Sequence, residues 1–418
     1  MTAAPRTSAA RASSRAVADV LDALEREGIR WSLLRPRASL EAEEGDVDLL
    51  VEPAELGQVE SLLAGLGFTL VPVDGPDLHA ALYDREAGRF AWLHVQDALR
   101  IAGGRIPAGD VLAHAVIERA VRRPADDWLL WILLLRALVD KGELAARHRP
   151  VVERLAAEWS GGPPQLEALA RRHQIEPERA VAAAAAGDWP GVMRQAVHRP
   201  PPRRSFAARL LRAPWRLLEL WRARDRRGIS VAVLGPDGAG KTSLVKALAR
   251  ELPLPTRVQY MGLTGGKLPK ADALRIPGIV FCARVAIMWM RYARGLLTTA
   301  RGGIVVFDRY NLDGTVPSGM RLSPVARFSR RIQVHVCPLP DLVLVLDAPG
   351  ETLYRRSGEY DAATLEAWRQ GFARLESRYS IVRLLDAERP AEEVRREAEE
   401  LVWSRYAELR GRDMSSRR

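Results

Sequence analysis

The sequence predicts an α/β protein of two domains, and three observations indicate this arrangement. A chain of 418 residues is too long for one ordinary hydrophobic core. From residue 228 onward, short β-branched runs alternate with helical stretches, which is typical of a parallel sheet flanked by helices. The first half predicts an α+β domain with a helical extension. Residues 199–227, rich in proline and arginine, predict a linker between the two domains.

The predicted domains span residues 16–198 and 228–410, and the two ends of the chain, residues 1–15 and 411–418, are predicted to be disordered. In the N-terminal domain, apolar runs predict three strands: Ile29–Leu34, Val47–Val51 and Phe90–Val95. Helical spacing of apolar residues predicts helices over Val17–Gly28, Pro53–Leu66, most of Asp110–Glu158, and a later stretch through Ala180–Ala186.

Two carboxylates stand two residues apart where the second predicted strand begins. Asp46 and Asp48 would point to the same face of an extended strand, where they could share Mg²⁺ with a triphosphate. The alternative is a strand entrance with two exposed acids, since this spacing is common. The pair is therefore a candidate metal site of the N-terminal domain.

The basic residues are concentrated outside the predicted domains. Of the net charge of +11, residues 199–228 contribute +8, and residues 1–15 and 410–418 contribute +3 each. The predicted domains are therefore mildly acidic, which argues against a nucleic-acid-binding groove. Within residues 205–227, leucines and tryptophans alternate with arginines, so this segment either lies on a membrane surface or packs its apolar stripe on a neighbouring domain. We favour the packed connector, because such a stripe has to be buried.

Cysteine content and hydropathy predict a cytoplasmic protein. The two cysteines, Cys282 and Cys337, are far apart and form no C-x-x-C motif, so neither a zinc site nor a disulfide framework is expected. The N-terminal arginines are not followed by the apolar core of a secretory signal. The apolar run Trp128–Leu135 is far shorter than the roughly 20 residues of a membrane span. The longer stretch Ile276–Leu297 contains arginines and predicts a buried helix.

The strongest motif in the chain is Gly235–Thr242, which fits G-x-x-x-x-G-K-[ST]. The β-branched run Ile229–Leu234 before it predicts a buried parallel strand, and Ser243–Arg250 after it predicts the first turns of a helix. Glycines allow successive backbone N–H groups and the helix N-terminus to face one anion. Lys241 supplies a positive charge to the outer phosphates, and the Thr242 hydroxyl can hold Mg²⁺. The motif therefore predicts binding of a nucleoside triphosphate.

Further strands and helices are predicted after this loop. The strands are Arg257–Met261, Gly303–Phe307, Asp341–Leu346 and Ile381–Leu385, and the helices are Ile276–Ala300 and Ala391–Leu409. Two strands lead into carboxylates, Asp308 and Asp347, either of which could be a magnesium partner opposite the glycine loop. Arg309 directly follows Asp308 and suits a site where phosphate charge is neutralised. Arg355 and Arg356 follow in a short helix and could close over the phosphates.

Three segments together, Gly235–Thr242, Phe307–Tyr310 and Pro340–Asp347, resemble the thymidylate kinase family of nucleoside monophosphate kinases. The resemblance covers about residues 228–410 and implies a P-loop kinase that uses ATP and Mg²⁺ to phosphorylate a phosphorylated acceptor. It implies that Asp308 serves the metal with Thr242, and that Arg309 grips the acceptor phosphate. It places Arg355 and Arg356 in an arginine-bearing lid. The residues that it assigns to ATP are Gly235, Asp237, Gly238, Ala239, Gly240, Lys241, Thr242 and Ser243, with Asp237 facing the acceptor side.

The chain departs from this family in the residues that recognise the thymine base. The family usually has a serine after the Asp-Arg-Tyr sequence and then a tyrosine–glutamine pair, which residues 311–318 lack. The loop over residues 260–266 also does not match a thymidylate pocket. A different nucleotide or a phosphorylated sugar-like acceptor therefore remains open. A second function, from a different class, is a P-loop protein whose nucleotide state switches contacts between domains or with a partner.

The N-terminal half resembles the nucleotidyltransferase fold through Trp31–Arg35, Gly45–Val51, and the helical segment Val139–Leu144 with Arg147 and His148. It departs at two points. The expected glycine-serine turn is replaced by Arg35-Pro-Arg37, and His94 stands where the third carboxylate is expected. An imidazole cannot replace a carboxylate in holding magnesium. The resemblance therefore implies a degenerate domain that binds or regulates, with active nucleotidyl transfer as the alternative.

Overall fold

The computed structural model describes residues 6–35, 47–72, 76–118, 121–196, 228–262, 277–316 and 337–415. The chain divides into two compact units, Met1–Ala208 and Arg209–Arg418, and the division falls within the range predicted as linker. The amphipathic segment 205–227 lies outside the described residues, as does Asp46. One unit contains a mixed sheet and the other an all-parallel sheet, each with helices, so the predicted mixed α/β class is confirmed.

A five-stranded mixed sheet forms the centre of the first unit. Its strands are β1 (Trp31–Leu33), β2 (Val47–Val51), β3 (Thr69–Val71), β4 (Leu78–Asp84) and β5 (Arg89–Gln96). They lie in the order β1-β2-β5-β4-β3, in which β2 and β5 are parallel and the other neighbours antiparallel. The register places Asp48 beside His94, and His94 beside His79. These three side chains therefore form a row across one face of the sheet.

The two faces of this sheet belong to different hydrophobic cores. Trp31 and Leu49 lie in the core that contains residues of helices α1 (Arg6–Arg26) and α2 (Leu56–Gly65). Because side chains alternate along a strand, Leu50 points to the other face and joins the core of the helical part. Asp48 shares that second face with Leu50.

The helical part includes two short hairpins, with helix α3 between them and the other helices after them. The hairpin strands are β6 (Ala98–Ile101) with β7 (Gly104–Pro107), and β8 (Ala115–Glu118) with β9 (Val121–Pro124). The helices are α3 (Ala108–Leu112), α4 (Asp126–Leu135), α5 (Arg149–Ala157), α6 (Pro164–Arg172), α7 (Pro177–Ala185) and α8 (Trp189–Met193). Every residue of α4 from Trp128 to Leu135 is buried, which accounts for its apolar sequence. None of the described helices combines the length and apolar character needed to cross a membrane.

The first unit differs from the sequence-based expectation in two respects. Helix α1 begins at Arg6, within the range 1–15 for which the sequence predicts disorder; the alanines and arginines there are strong helix formers. Strands β3, β4 and β6 to β9 are absent from the prediction. They are short, and they depend on pairing with neighbours that the local sequence does not reveal.

Five parallel strands form the sheet of the second unit. They are β10 (Ile229–Leu234), β11 (Thr256–Tyr260), β12 (Ile304–Asp308), β13 (Leu342–Asp347) and β14 (Val382–Asp386). Their order is β11-β12-β10-β13-β14, so the strand that precedes the glycine loop is the central one. All five strands were expected from the sequence, with ends that differ by at most one residue, and these predictions are confirmed.

The helices of the second unit are α9 (Lys241–Glu251), α10 (Pro277–Thr299), α11 (Gly350–Ser357), α12 (Ala362–Arg378) and α13 (Ala391–Ser415). Helix α12 is absent from the prediction, although Asp361 provides an N-cap by accepting a hydrogen bond from the amide of Thr364. Helix α13 continues to Ser415, into the range 411–418 for which the sequence predicts a disordered tail. The helix there continues the long periodic pattern that precedes it.

Candidate functional site

The glycine loop Gly235–Thr242 connects the carboxyl end of β10 to the first turn of α9. Gly235, Gly238 and Gly240 have positive φ angles of 142°, 85° and 92°. A Cβ atom on Gly235 would lie 2.7 Å from the carbonyl oxygen of Leu346, and one on Gly238 would lie 2.7 Å from that of Leu353. Close packing therefore requires glycine at both positions. The loop amides and the N-terminus of α9 together suit an anion.

The strand order brings the ends of three strands to this loop. From β10 the chain passes to β11 and β12 on one side and then crosses to β13 on the other. A crevice forms at the carboxyl edge of a parallel sheet where the connections change sides in this way. In the register, Asp308 at the end of β12 lies beside Val233 of β10. The glycine loop and the Asp308–Arg309 pair are thus adjacent at one edge of one sheet.

The ammonium group of Lys241 turns back onto the loop. Nζ donates to the carbonyl oxygen of Pro236 at 2.6 Å and lies 3.3 Å from Oδ1 of Asp237. Arg309 donates through Nη2 to the same oxygen of Asp237 at 2.5 Å. Burial, followed by the charge of Arg309, lowers the pKa of Lys241. The carboxylate of Asp237 therefore contacts two cations, Lys241 from the glycine loop and Arg309 from the end of β12.

The backbone of Arg309 is in the left-handed region, with φ of 64°. This conformation costs a non-glycine residue about 1–2 kcal/mol. The amide of Arg309 donates to the carbonyl oxygen of Val233 at 3.1 Å, which fixes the residue against β10. The turn allows the guanidinium group to reach Asp237 on the glycine loop. Strain of this kind is often found where a side chain has a functional position.

Thr242 and Asp308 provide oxygen atoms that fit a magnesium ion. Oγ1 of Thr242 lies 3.5 Å from Oδ2 of Asp308. Mg²⁺ takes oxygen ligands at about 2.1 Å, so two neighbouring ligands lie about 3 Å apart. The two side chains are therefore close enough to share one ion. Of the other residues assigned to ATP, Ala239 is buried in the loop and Ser243 is exposed on the first turn of α9.

Asp347, the alternative magnesium partner, is bonded to helix α12. Nη1 of Arg369 lies 3.2 Å from Oδ2 of Asp347, and Nη2 of Arg369 lies 2.7 Å from Oε1 of Glu366. Glu366 also accepts a hydrogen bond of 3.1 Å from the amide of Gly350. Asp347 thus belongs to a network that joins β13, α11 and α12. Asp308, which lies next to Thr242, is the better metal candidate.

Arg355 and Arg356, the predicted lid arginines, are exposed on α11. Arg355 donates to Oγ1 of Thr352 at 3.1 Å, and Arg356 donates to the carbonyl oxygen of Ala387 at 3.0 Å. The helix itself lies beside the loop, since Leu353 is among the nearest neighbours of a Cβ atom built on Gly238. Among the described residues, neither arginine forms a hydrogen bond or ion pair with the glycine loop or with the Asp308–Arg309 pair.

A third carboxylate, Asp313, belongs to the same group of charges and does not stand out in the sequence. It lies on the 3₁₀ turn Asn311–Thr315, where its amide donates to the carbonyl oxygen of Tyr310 at 3.0 Å. Burial raises the pKa of Asp313 to about 7, against the charges of Arg309 and Lys241, which lower it. No motif marks this position, because its role depends on the turn that brings it to the two cations.

In the first unit, Asp48 is buried among groups that donate to it. Oδ1 lies 3.0 Å from Nδ1 of His94, and Oδ2 pairs with Arg35 and lies 3.6 Å from Nη1 of Arg136. Burial alone would raise the pKa of Asp48, but the hydrogen bond with His94 and the charges of Arg136 and Arg35 lower it to about 2. The carboxylate is thus ionised and already surrounded by positive charge.

His94, at the position where the resemblance expects a third carboxylate, faces two acids. Its Nδ1 is directed at Asp48, and its Nε2 lies 3.2 Å from Oδ2 of Asp77. An imidazole that donates from both nitrogens carries both protons and a positive charge. Burial would lower the pKa of His94, but the hydrogen bonds to Asp48 and Asp77 raise it. Within the described ranges, no three acidic, histidine or cysteine side chains converge as a metal site.

Comparison with family models and curated proteins identifies no relative. No protein-family model matches the chain, and a search of curated proteins finds no match.

Proposed function

We propose that the second unit is an ATP- and Mg²⁺-dependent kinase that transfers a phosphoryl group to a phosphorylated acceptor. The main support is the pair of cations around Asp237. Lys241 approaches this carboxylate from the glycine loop at 3.3 Å, and Arg309 approaches it from the end of β12 at 2.5 Å. Phosphoryl transfer depends mostly on positioning and on neutralising charge. Two different elements bring a cation to the same carboxylate. Such a pair of cations can neutralise the charge of a phosphoryl group that passes between donor and acceptor.

Each residue has a distinct role in this proposal. The loop amides, the N-terminus of α9 and Lys241 hold the outer phosphates of ATP. Thr242 and Asp308 hold Mg²⁺, which when bound neutralises phosphate charge. Arg309 binds the acceptor phosphate, which is why we propose an acceptor that is already phosphorylated. Asp237 keeps Lys241 and Arg309 in position, since it contacts both.

The test is release of ADP that depends on an acceptor. The full chain is incubated with ATP and Mg²⁺ together with deoxynucleoside monophosphates or sugar phosphates, one at a time. We expect at least one acceptor to raise ADP release, and Lys241→Ala to abolish it. The matched control is Lys246→Ala, because Lys246 is an exposed lysine of the same helix. ADP release that no acceptor changes but that a protein partner raises would contradict the kinase proposal. It would support a nucleotide-dependent switch instead.

A further inference from the structure

A second concentration of positive charge lies in the first unit, and the proposed kinase does not use it. Its members come from the end of β1 and from two irregular turns that follow α4. The first is a π-helical turn, Arg136–Lys141, and the second is a 3₁₀ turn, Ala146–His148. We call the following residues the unit 1 cation cluster: Arg35, Arg136, Lys141, Arg147 and His148.

The inner part of the cluster contains more donors than Asp48 can satisfy. Arg35 and Arg136 both approach Oδ2 of this one carboxylate, while its Oδ1 is taken by His94. Arg35 has a side chain that is only 15% exposed, and its buried Nε has no hydrogen-bond partner among the described residues. A buried donor without a partner is unfavourable, so an acceptor supplied by a ligand would stabilise it.

The outer part of the cluster is also dominated by positive charge. Burial lowers the pKa of His148, and the charges of Arg147, Arg35 and Lys141 lower it further, to about 4. The imidazole is therefore neutral near pH 7 and lies within reach of three cations. Two carboxylates, Asp48 and Asp140, act on Arg136. The charge of Arg35 acts on both Arg136 and His148, so the inner and outer parts of the cluster adjoin.

The backbone that presents these residues is itself unusual. Helix α4 changes to a π-helical turn at Arg136, and Gly142 ends this turn in the left-handed region, with φ of 74°. Turns of this kind are rare and occur frequently at functional sites. The wider turn places Arg136 at its start and Lys141 at its end. A regular α-helix of the same length would place them differently on its surface.

From this we infer that the unit 1 cation cluster binds a small molecule that bears linked phosphates, without a metal ion. Arg35 and Arg136 supply planar guanidinium donors that match phosphate oxygens, and Lys141 and Arg147 supply charge at the exposed rim. Metal is not needed because cations already surround Asp48. All residues of this site belong to the first unit, and the proposal does not depend on the proposed kinase.

The experiment uses tripolyphosphate, titrated by calorimetry in EDTA into the full chain carrying Lys241→Ala, which removes the lysine of the glycine loop. We expect one site whose affinity falls as salt rises. The double variant Lys141→Gln/Arg147→Gln changes only exposed side chains and should weaken binding at least about tenfold. The matched control, Arg15→Gln/Arg179→Gln, removes the same charge from exposed positions on α1 and α7 and should bind like its parent.

A second readout follows His148 directly by NMR. Bound phosphate should neutralise the surrounding cations, so the imidazole of His148 should titrate at a higher pH in the presence of tripolyphosphate. Tighter binding of ATP than of tripolyphosphate would assign the site to a nucleotide, and equal binding would assign it to the phosphate chain alone. Absence of binding in EDTA, an equal loss in both double variants, or an unchanged His148 titration would overturn the proposal.

Discussion

Asp237 and Asp48 are each a single carboxylate that holds several positive groups, but their surroundings differ. The side chain of Asp237 is 26% exposed and lies on a loop, and Arg309, one of the two cations that it holds, is 30% exposed. The side chain of Asp48 is 4% exposed and lies within a sheet. Removing Asp237 should therefore affect binding first, whereas removing Asp48 should affect stability first.

Arg309→Ala tests the catalytic side of the proposal. The substitution keeps the backbone turn but removes the guanidinium group that contacts Asp237. We expect kcat/KM for the best acceptor to fall by roughly 100-fold, which corresponds to about 3 kcal/mol of transition-state stabilisation. Steady-state kinetics of acceptor-dependent ADP release measure this. Arg250→Ala, at an exposed position of α9, is the control; an equal fall in both variants would count against a specific role.

Asp48→Asn tests the charge balance of the first unit. The pKa of Asp48 is about 2 in the folded chain, below the ordinary value of 3.8. Its contribution to stability is therefore present above pH 3.8 and lost as the pH falls through about 2. We expect the variant to lose about 2 kcal/mol of unfolding free energy at pH 7 and little near pH 2. Urea unfolding at several pH values measures this.

The control for this pH dependence is Asp22→Asn, because Asp22 is an exposed carboxylate of α1. It should change the unfolding free energy by less than about 0.5 kcal/mol at every pH. A loss in Asp48→Asn that is constant from pH 7 down to pH 2 would mean that the charge of Asp48 is not what stabilises the fold.

Among the elements, the position of helix α11 against the glycine loop depends on a close contact. Built on Gly238, a Cβ atom would lie 2.7 Å from the carbonyl oxygen of Leu353 and 3.2 Å from Cβ of Ser357. Helix α11 therefore supports the loop from one side. This contact explains how a helix whose arginines bond elsewhere can still influence the proposed ATP site.

Gly238→Ala should disturb both the loop and α11. The new methyl group meets the carbonyl oxygen of Leu353, and the residue keeps an unfavourable positive φ, so we expect a loss of about 2–4 kcal/mol in unfolding free energy and of ATP binding. Gly358→Ala is the matched control: its φ is 66° and a Cβ atom there meets nothing within 4 Å. It should lose only about 1 kcal/mol and still bind ATP. Chemical unfolding and an ATP titration compare the two; equal losses would contradict the contact.

On the scale of the whole molecule, two compact units with separate cores should respond to separate perturbations. ATP with Mg²⁺ at 100 times its dissociation constant should stabilise the second unit by about 2.7 kcal/mol. Asp48→Asn should destabilise only the first. Scanning calorimetry should therefore show two unfolding transitions, one for each unit, whose midpoint temperatures shift independently. A single transition that both perturbations shift as a whole would contradict this expectation.

Local sequence was enough to predict much of the second unit. The three central strands, β10, β12 and β13, are short apolar runs that are buried in the sheet, and burial on both faces is what makes such runs recognisable. The glycine loop was also readable, because its glycines, lysine and threonine are required by backbone geometry and charge. Helix α12 was missed although Asp361 caps its start. The short strands of the first unit were missed because such strands are stable only through pairing and packing, which local propensity does not encode.

The sequence by itself identified the residues that we propose to handle phosphate: a glycine loop with Lys241 and Thr242, and the Asp308–Arg309 pair. Only the tertiary structure decided how charges pair. It brought Arg309 to Asp237, bonded Asp347 to Arg369, and surrounded Asp48 with arginines and His94. The physical reason is that electrostatic pairing depends on distance and burial in space, and neither can be read from spacing along a chain.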